Sequence, residues 1–380
     1  MAAIDRLEAA KYRISVVAST VGFDVLKENF KFNILSYIAL IDIVTYMSIN
    51  CYDIHLFWGD FIRVCFCLVT WSFGYQGSAR IIVFVSKEKL IKDLLAKIKA
   101  FMLKMEKDMS TNFIVRRFAG YIDFQCKGIT IIFYLTGLLT IVYPGLVYLF
   151  TKEAILPFGF IIPGLSDKEL LGYTLNYCHH ILQVIFTVAG LVAAQCINII
   201  FLLGACLMIE VLIVNLKSLE KELKENDDDN HVEMHFIEII KTHQEIIEFV
   251  HTLESLFNLM FLVDVFAISF QVVIILMVLS ESIWIPGCVI MTMVSSMLFI
   301  DCAYGLYLEL KFDAICTAIY DLSWHLMSLK NRKTVLFMLT RAQKPPLLTF
   351  GKMAYMNMAT FVQVYKSIYS YFMMLKSFEA

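Results

Sequence analysis

The chain has 380 residues, 59% of them hydrophobic and 17% charged, and a mean hydropathy of +0.71. Soluble domains hold about 45–50% apolar and about 25% charged residues, so a soluble fold has nowhere to put these side chains and an integral membrane protein remains. The net charge of −2 points to no nucleic-acid partner. Ten cysteines, several inside apolar runs (Cys65, Cys67, Cys196, Cys206, Cys302), read as small buried hydrophobes and not as a disulfide framework.

A spanning helix needs about 20 mostly apolar residues. In chain order the stretches that qualify are 33–51, 61–85, 129–150, 174–200, 258–280, 284–308 and 347–375. The first starts too far along, and Asp42 interrupts it too early, for a cleavable signal peptide. Lys and Arg then set the direction, because cytosolic loops hold the excess. The segment before residue 33 and the loops 86–127, 201–257 and 309–346 carry 25 of them, against Lys152, Lys168 and Lys376 on the other side. The fold class expected is an all-α membrane protein with seven transmembrane helices, a cytoplasmic N-terminus, an extracellular C-terminus and helical cytosolic anchor extensions. A G-protein-coupled receptor needs the opposite orientation, and no Asp-Arg-Tyr follows the third span.

Three regions are expected: 1–308 with spans one to six and cytosolic extensions around 201–257, 309–346 with cytosolic anchor helices, and 347–380 with the seventh helix and tail. Leu212, Leu216, Leu219 and Leu223 recur at helical spacing, as do Phe236, Ile240, Ile247, Val250, Leu253 and Phe257. Spans four and five therefore project into the cytosol around a solvated turn at 225–230. A third cytosolic helix is expected over 311–338, and Pro345-Pro346 should split the seventh span from it. Half-apolar helices gathered on one side of a membrane must pack on each other or on a neighbouring subunit.

Side chains capable of chemistry are sparse. His231 and His235 have metal-ligand spacing, but nothing completes a tetrahedral set, so they read as a helix face and no metal is expected. His179-His180 sit near the outer end of span four, where a polar ring can orient a small ligand. Asp42, Asp264 and Asp301 are too dispersed for a proton relay and are expected to pair inside the bundle. No phosphate loop or nucleophile elbow is present, so neither an enzyme nor a cofactor is expected. With 31 Phe, 18 Tyr and 19 Met, the chain can line an apolar cavity. A secondary transporter of a small lipophilic solute is the alternative, but its inverted repeats are not visible.

At residues 316–378 the sequence becomes specific. Tyr320-Asp-Leu-Ser-Trp324, then Arg341-Ala-Gln-Lys-Pro345, Gly351 and Tyr369-Ser-Tyr371-Phe-Met-Met-Leu375 together resemble the C-terminal signature of insect odorant receptors. Gustatory receptors, a second channel-type alternative, share the architecture and part of the tail, but the Arg-x-Gln-Lys-Pro block favours the odorant branch. The resemblance implies a non-selective cation channel gated by a small volatile odorant, in the plasma membrane of a sensory neuron dendrite. It implies a heterotetramer in which a ligand-specific subunit joins an odorant co-receptor of the same fold. The compact loop between spans four and five places this chain as the tuning subunit.

By face and depth, the odorant contacts expected in the outer half are Phe66, Thr70 and Phe73 from span two, and Gly137, Ile141 and Tyr148 from span three. Tyr177, His180, Ile181 and Val184 are expected from span four, with Phe270, Ile274 and Met293 from spans five and six. Aligned with the family tail, Met374 and Phe378 fall at a hydrophobic gate and Ser377 near its polar position. Lys376 departs from the co-receptor pattern and is expected to turn away from the pore.

Overall fold

The structure, a computed structural model, describes residues 2–166, 168–225 and 229–379. An amphipathic helix, α1 (Ala3–Thr20), precedes the first span and was not foreseen. Its stripe of Ala3, Leu7, Ala10, Ile14 and Ala18 is buried. Arg13 pairs with Asp123, and Glu8 lies 2.6 Å from Lys99. Then come α2 (Ile34–Leu56), α3 (Phe61–Ser86), α4 (Glu88–Glu106), α5 (Asn112–Thr151), α6 (Leu170–Glu225), α7 (Asp229–Glu281) and α8 (Ile285–Tyr320). The basic 86–127 segment is therefore mostly helical rather than a loop.

Five of these helices, α2, α5, α6, α7 and α8, are long and apolar enough to cross a membrane. α3 carries Thr70, Gln76 and Arg80 on its buried face and packs between α2 and α7. At about 1.5 Å per residue, the 56 residues of α6 run about 84 Å, far beyond a hydrocarbon core of about 30 Å. The surplus forms the cytosolic bundle. There Leu212, Leu216, Leu219 and Leu223 of α6 are buried, as are Phe236, Val250, Leu253 and Phe257 of α7. The α7 stripe is wider than its spacing implied, because Ile239, Ile246 and Phe249 are also buried while Ile240 and Ile247 are only partly so. Of the 225–230 turn, residues 226–228 lie outside the described residues.

Two helix boundaries differ from expectation. The continuous helix over 311–338 does not form: α8 stops at Tyr320, and α9 (Leu329–Ala342) starts after a corner. Glu220 of α6 holds that corner, accepting from the Ser323 backbone N–H at 2.5 Å and from the Ser323 hydroxyl at 2.8 Å. Ser328 then caps α9. The stretch 347–375 is not one helix either. It opens with a small hairpin, β1 (Thr349–Phe350) with β2 (Ala354–Tyr355), and only then forms α10 (Met358–Glu379). Gly351 turns the hairpin at φ +57, and a Cβ there would stand 2.5 Å from Leu262 Cδ2 of α7. The Tyr-Asp-Leu-Ser-Trp block and Gly351 are thus a helix corner and a hairpin seat, where few side chains fit.

Candidate ligand-binding site

α2, α3, α5, α6 and α8 enclose a cavity of about 50 Å³ in the outer half of the bundle. On this measure a single water takes about 10–15 Å³. Tyr46, Phe73, Val184, Val188, Ile290 and Met293 supply apolar walls, and Thr70, Thr136, Thr140, Thr187 and Gln183 supply the polar points. Gly137 lets α5 approach α6 closely, since a Cβ there would lie 3.0 Å from Val188 and 3.3 Å from Val184. Thr70 is fixed by donating to Asn50 Oδ1 at 2.7 Å, and Tyr46 donates its hydroxyl to the Thr70 carbonyl.

The loop after α5 closes the outer end. Phe160 is fully buried, and Phe158 reaches the cavity wall. Three side chains pin the loop backbone: Asp53 accepts from Ile161 N–H at 2.5 Å, Asn176 accepts from Ile162 N–H at 2.7 Å, and His180 Nε2 donates to the Phe160 carbonyl at 3.0 Å. The Phe160 ring lies 4.1 Å from the His180 ring and 5.4 Å from the Tyr46 ring. Gly159 allows this seat, because a Cβ there would meet Phe66 at 2.6 Å.

Of the residues expected from the sequence, Thr70, Phe73, Gly137, Val184 and Met293 come together on this cavity. Phe66 and His180 sit behind it, Phe66 against Trp284 at 4.5 Å and His180 under the loop. Ile141 and Tyr177 are joined outside it, the tyrosine hydroxyl donating to the Ile141 carbonyl at 2.7 Å. Ile181 and Ile274 are partly buried off the cavity, and Tyr148 and Phe270 are exposed. The sequence reading missed Tyr46 from span one, Phe158 from the loop, and Thr136, Thr140, Gln183, Thr187, Val188, Val289 and Ile290 on the helices it did use. For Phe158, a Phe-Gly-Phe triplet in a short outer segment was the available signal.

The intramembrane acids all have partners. Asp42 accepts from Gln183 Nε2 at 2.8 and 2.9 Å, Asp264 pairs with Arg80 at 2.9 Å, and Asp301 accepts from Gln195 at 2.7 Å. His235 faces Glu222 at 2.9 Å across the α6–α7 cytosolic pair. α10 packs on α7 and α8 through Phe361, Tyr365 and Ile368. Beyond that contact Met374, Lys376, Ser377 and Phe378 are exposed, and the Ser377 hydroxyl donates to the Met374 carbonyl at 2.7 Å.

The described residues form a helical membrane bundle that encloses a small, largely apolar cavity beneath a pinned loop. The chain belongs to the 7tm Odorant receptor family, whose model matches residues 60–369. It is similar to Odorant receptor 10 of Aedes albopictus, 22% identical over 91% of this chain and 92% of that one. It is 25% identical to Odorant receptor 30a of Drosophila melanogaster over 60% of this chain and 61% of that one. The fold is that of the insect olfactory receptor OR5 from Machilis hrabei in complex with eugenol, with a TM-score of 0.76 at 15% identity over 98% of this chain and 99% of that one. That shared seven-span fold makes α3 and α10 spans two and seven.

Proposed function

We propose that this chain is the ligand-specific subunit of an odorant-gated, non-selective cation channel, a heterotetramer with the odorant co-receptor. It sits in the plasma membrane of a sensory neuron dendrite with its N-terminus inside. The observation that carries this reading is the outer cavity: apolar walls, four threonine side chains, the Gln183 amide and a pinned aromatic lid. Such a site suits a small volatile with one polar group. Odorants that bind the open conformation better than the closed one shift the equilibrium by that difference alone. The exposed end of α10 then contributes to the permeation path for cations, with Met374 and Phe378 as a hydrophobic constriction that blocks ions by dewetting. Ser377 is the polar position beside it, and Lys376 turns toward lipid. Residues 1–308 form the ligand-binding bundle, 309–346 the anchor and 347–380 the pore segment.

The test is current recording from cells expressing this chain with and without a co-receptor, over an odorant panel. Expected are odorant currents only in co-expression, and for Val184→Trp or Gly137→Val a dose–response moved by at least about tenfold, ~1.4 kcal/mol of binding. Robust odorant currents from this chain alone overturn the tuning-subunit assignment, and an unmoved dose–response overturns the cavity assignment.

A further inference from the structure

A second cavity, of about 100 Å³, lies in the inner half of the bundle between α1, α2, α3 and α6. It shares Tyr46, Phe73, Gln183 and Thr187 with the outer cavity, so those four side chains form the partition between the two. Its floor is the end of α1 and the turn after it, where Ala18, Val21 and Val25 are buried. Phe23 completes this apolar floor on the cytosolic side and is partly exposed. The side walls include Ile43, Ile81 and Phe186, each partly exposed at membrane depth, so the way in is lateral, from the bilayer.

Two glycines mark it as built. Gly77 of α3 and Gly190 of α6 line it, and a Cβ added at either would meet nothing within 4 Å. Gly74, one turn earlier, has a packing reason, since its Cβ would stand 2.9 Å from Met47. Small residues in membrane helices ordinarily serve such close approach, and a glycine inside a helix otherwise costs about 0.5–1 kcal/mol relative to alanine. At Gly77 and Gly190 the missing side chains instead leave space.

The polar groups on this cavity define what it can take. Arg80 is committed to Asp264 and Gln76, and the Tyr46 hydroxyl donates to the Thr70 carbonyl. Among the described residues Asp42 accepts only from the Gln183 amide nitrogen, yet an ionised carboxylate has about four acceptor positions. The Thr187 hydroxyl can donate or accept, but the spare capacity of the carboxylate is for accepting only, so a ligand group that reaches Asp42 must donate.

We infer that the inner cavity is a second ligand site, entered from the bilayer, for a lipophilic alcohol whose hydroxyl donates to Asp42 and whose apolar chain lies between Gly77 and Gly190. Its occupant presses on the same Tyr46, Phe73 and Gln183 that bound the outer cavity, so it can alter the response to a ligand bound there. The inference does not rest on the channel reading, because occupancy is measured directly.

The test is photolabelling of the full-length chain in lipid nanodiscs with a medium-chain primary alcohol carrying a mid-chain diazirine, followed by peptide mapping. Adducts are expected at Ile43, Ile81 or Phe186, and excess unlabelled alcohol should suppress them saturably. The double variant Gly77→Leu/Gly190→Leu should lower them at least about tenfold, ~1.4 kcal/mol, while Val184→Trp in the outer cavity leaves them. Asp42→Leu should reduce labelling by the alcohol but not by the corresponding diazirine alkane. Adducts that merely follow lipid exposure, as at Ile41 and Ile82, and that no competitor suppresses overturn the site. The competition is done on the unaltered chain, so it decides the matter even if the leucine variants fold poorly.

Discussion

The Arg80–Asp264 pair joins α3 to α7 inside the membrane, and it should be the most sensitive polar contact in the bundle. The two groups are 2.9 Å apart, and both side chains are 6% exposed. At that distance and an effective dielectric of about 20, the attraction is about 6 kcal/mol, most of which offsets the desolvation of two charges. The net worth of the pair is therefore small, whereas losing one partner strands the other. Asp264 Oδ1 already has no hydrogen-bond partner, so Arg80→Met leaves both carboxylate oxygens bare. Each single variant, Arg80→Met or Asp264→Met, should cost about 3–5 kcal/mol. The double variant should recover most of that loss, because an apolar pair of similar volume needs no compensation. The assay is a thermal melt of the purified chain in nanodiscs, read as a double-mutant cycle. If the double variant melts as low as the sum of the singles, the two residues act independently and the reasoning fails.

Three further outcomes are expected. Gly351→Ala should lower the melting temperature through two separable effects, a positive φ worth about 1–3 kcal/mol and the contact with Leu262; adding Leu262→Ala should restore only the second, and full restoration would refute the backbone part. In the cytosolic bundle, burial, with a smaller contribution from the Arg341 charge, holds the His243 imidazole down to about 4. The folded chain thus binds fewer protons than the unfolded one between about pH 6.5 and 4, and stability should fall as pH drops through that window, by on the order of 3 kcal/mol in total; His243→Gln should flatten this slope in melts taken across it, and an unchanged slope refutes the assignment. Glu220, whose carboxyl is held below its ordinary range by Lys224 and Ser323 against the opposing effect of burial, should matter in the same direction: Glu220→Ala frees the Ser323 corner, costs about 1–3 kcal/mol, and should raise hydrogen exchange at residues 321–328 while leaving the outer loop unchanged.

What could be read in the sequence, and what could not, divides by the range of the interaction. Hydropathy is local, so the apolar runs announced the spans, and the leucine stripe of α6 announced its cytosolic extension. α1 escaped because its stripe is mostly alanine, whose burial against α5 and α6 only the tertiary fold creates. The α8–α9 corner escaped for a similar reason. Nothing in the helix-favouring run 311–338 stops a helix as firmly as Glu220, a hundred residues away, reaching across to Ser323. The hairpin at 349–355 stands in a stretch apolar enough to count as a span, and only Gly351 with the nearby Pro345-Pro346 argued otherwise.

The outer cavity shows the same division. Five of its lining residues follow from depth and helical face, because a helix that spans the bilayer fixes both. Tyr46 and Phe158 do not, since one depends on how span one leans on span two and the other on a loop folded back into the bundle. The loop's own anchors were nevertheless in view as oddities: a histidine, an asparagine and an aspartate near the outer ends of apolar helices. Each is there to accept from, or donate to, a backbone group that lies over the cavity, where water cannot replace it. Polar residues at such depth are costly unless paired, so in this chain they point to the loop that the hydropathy pattern leaves out.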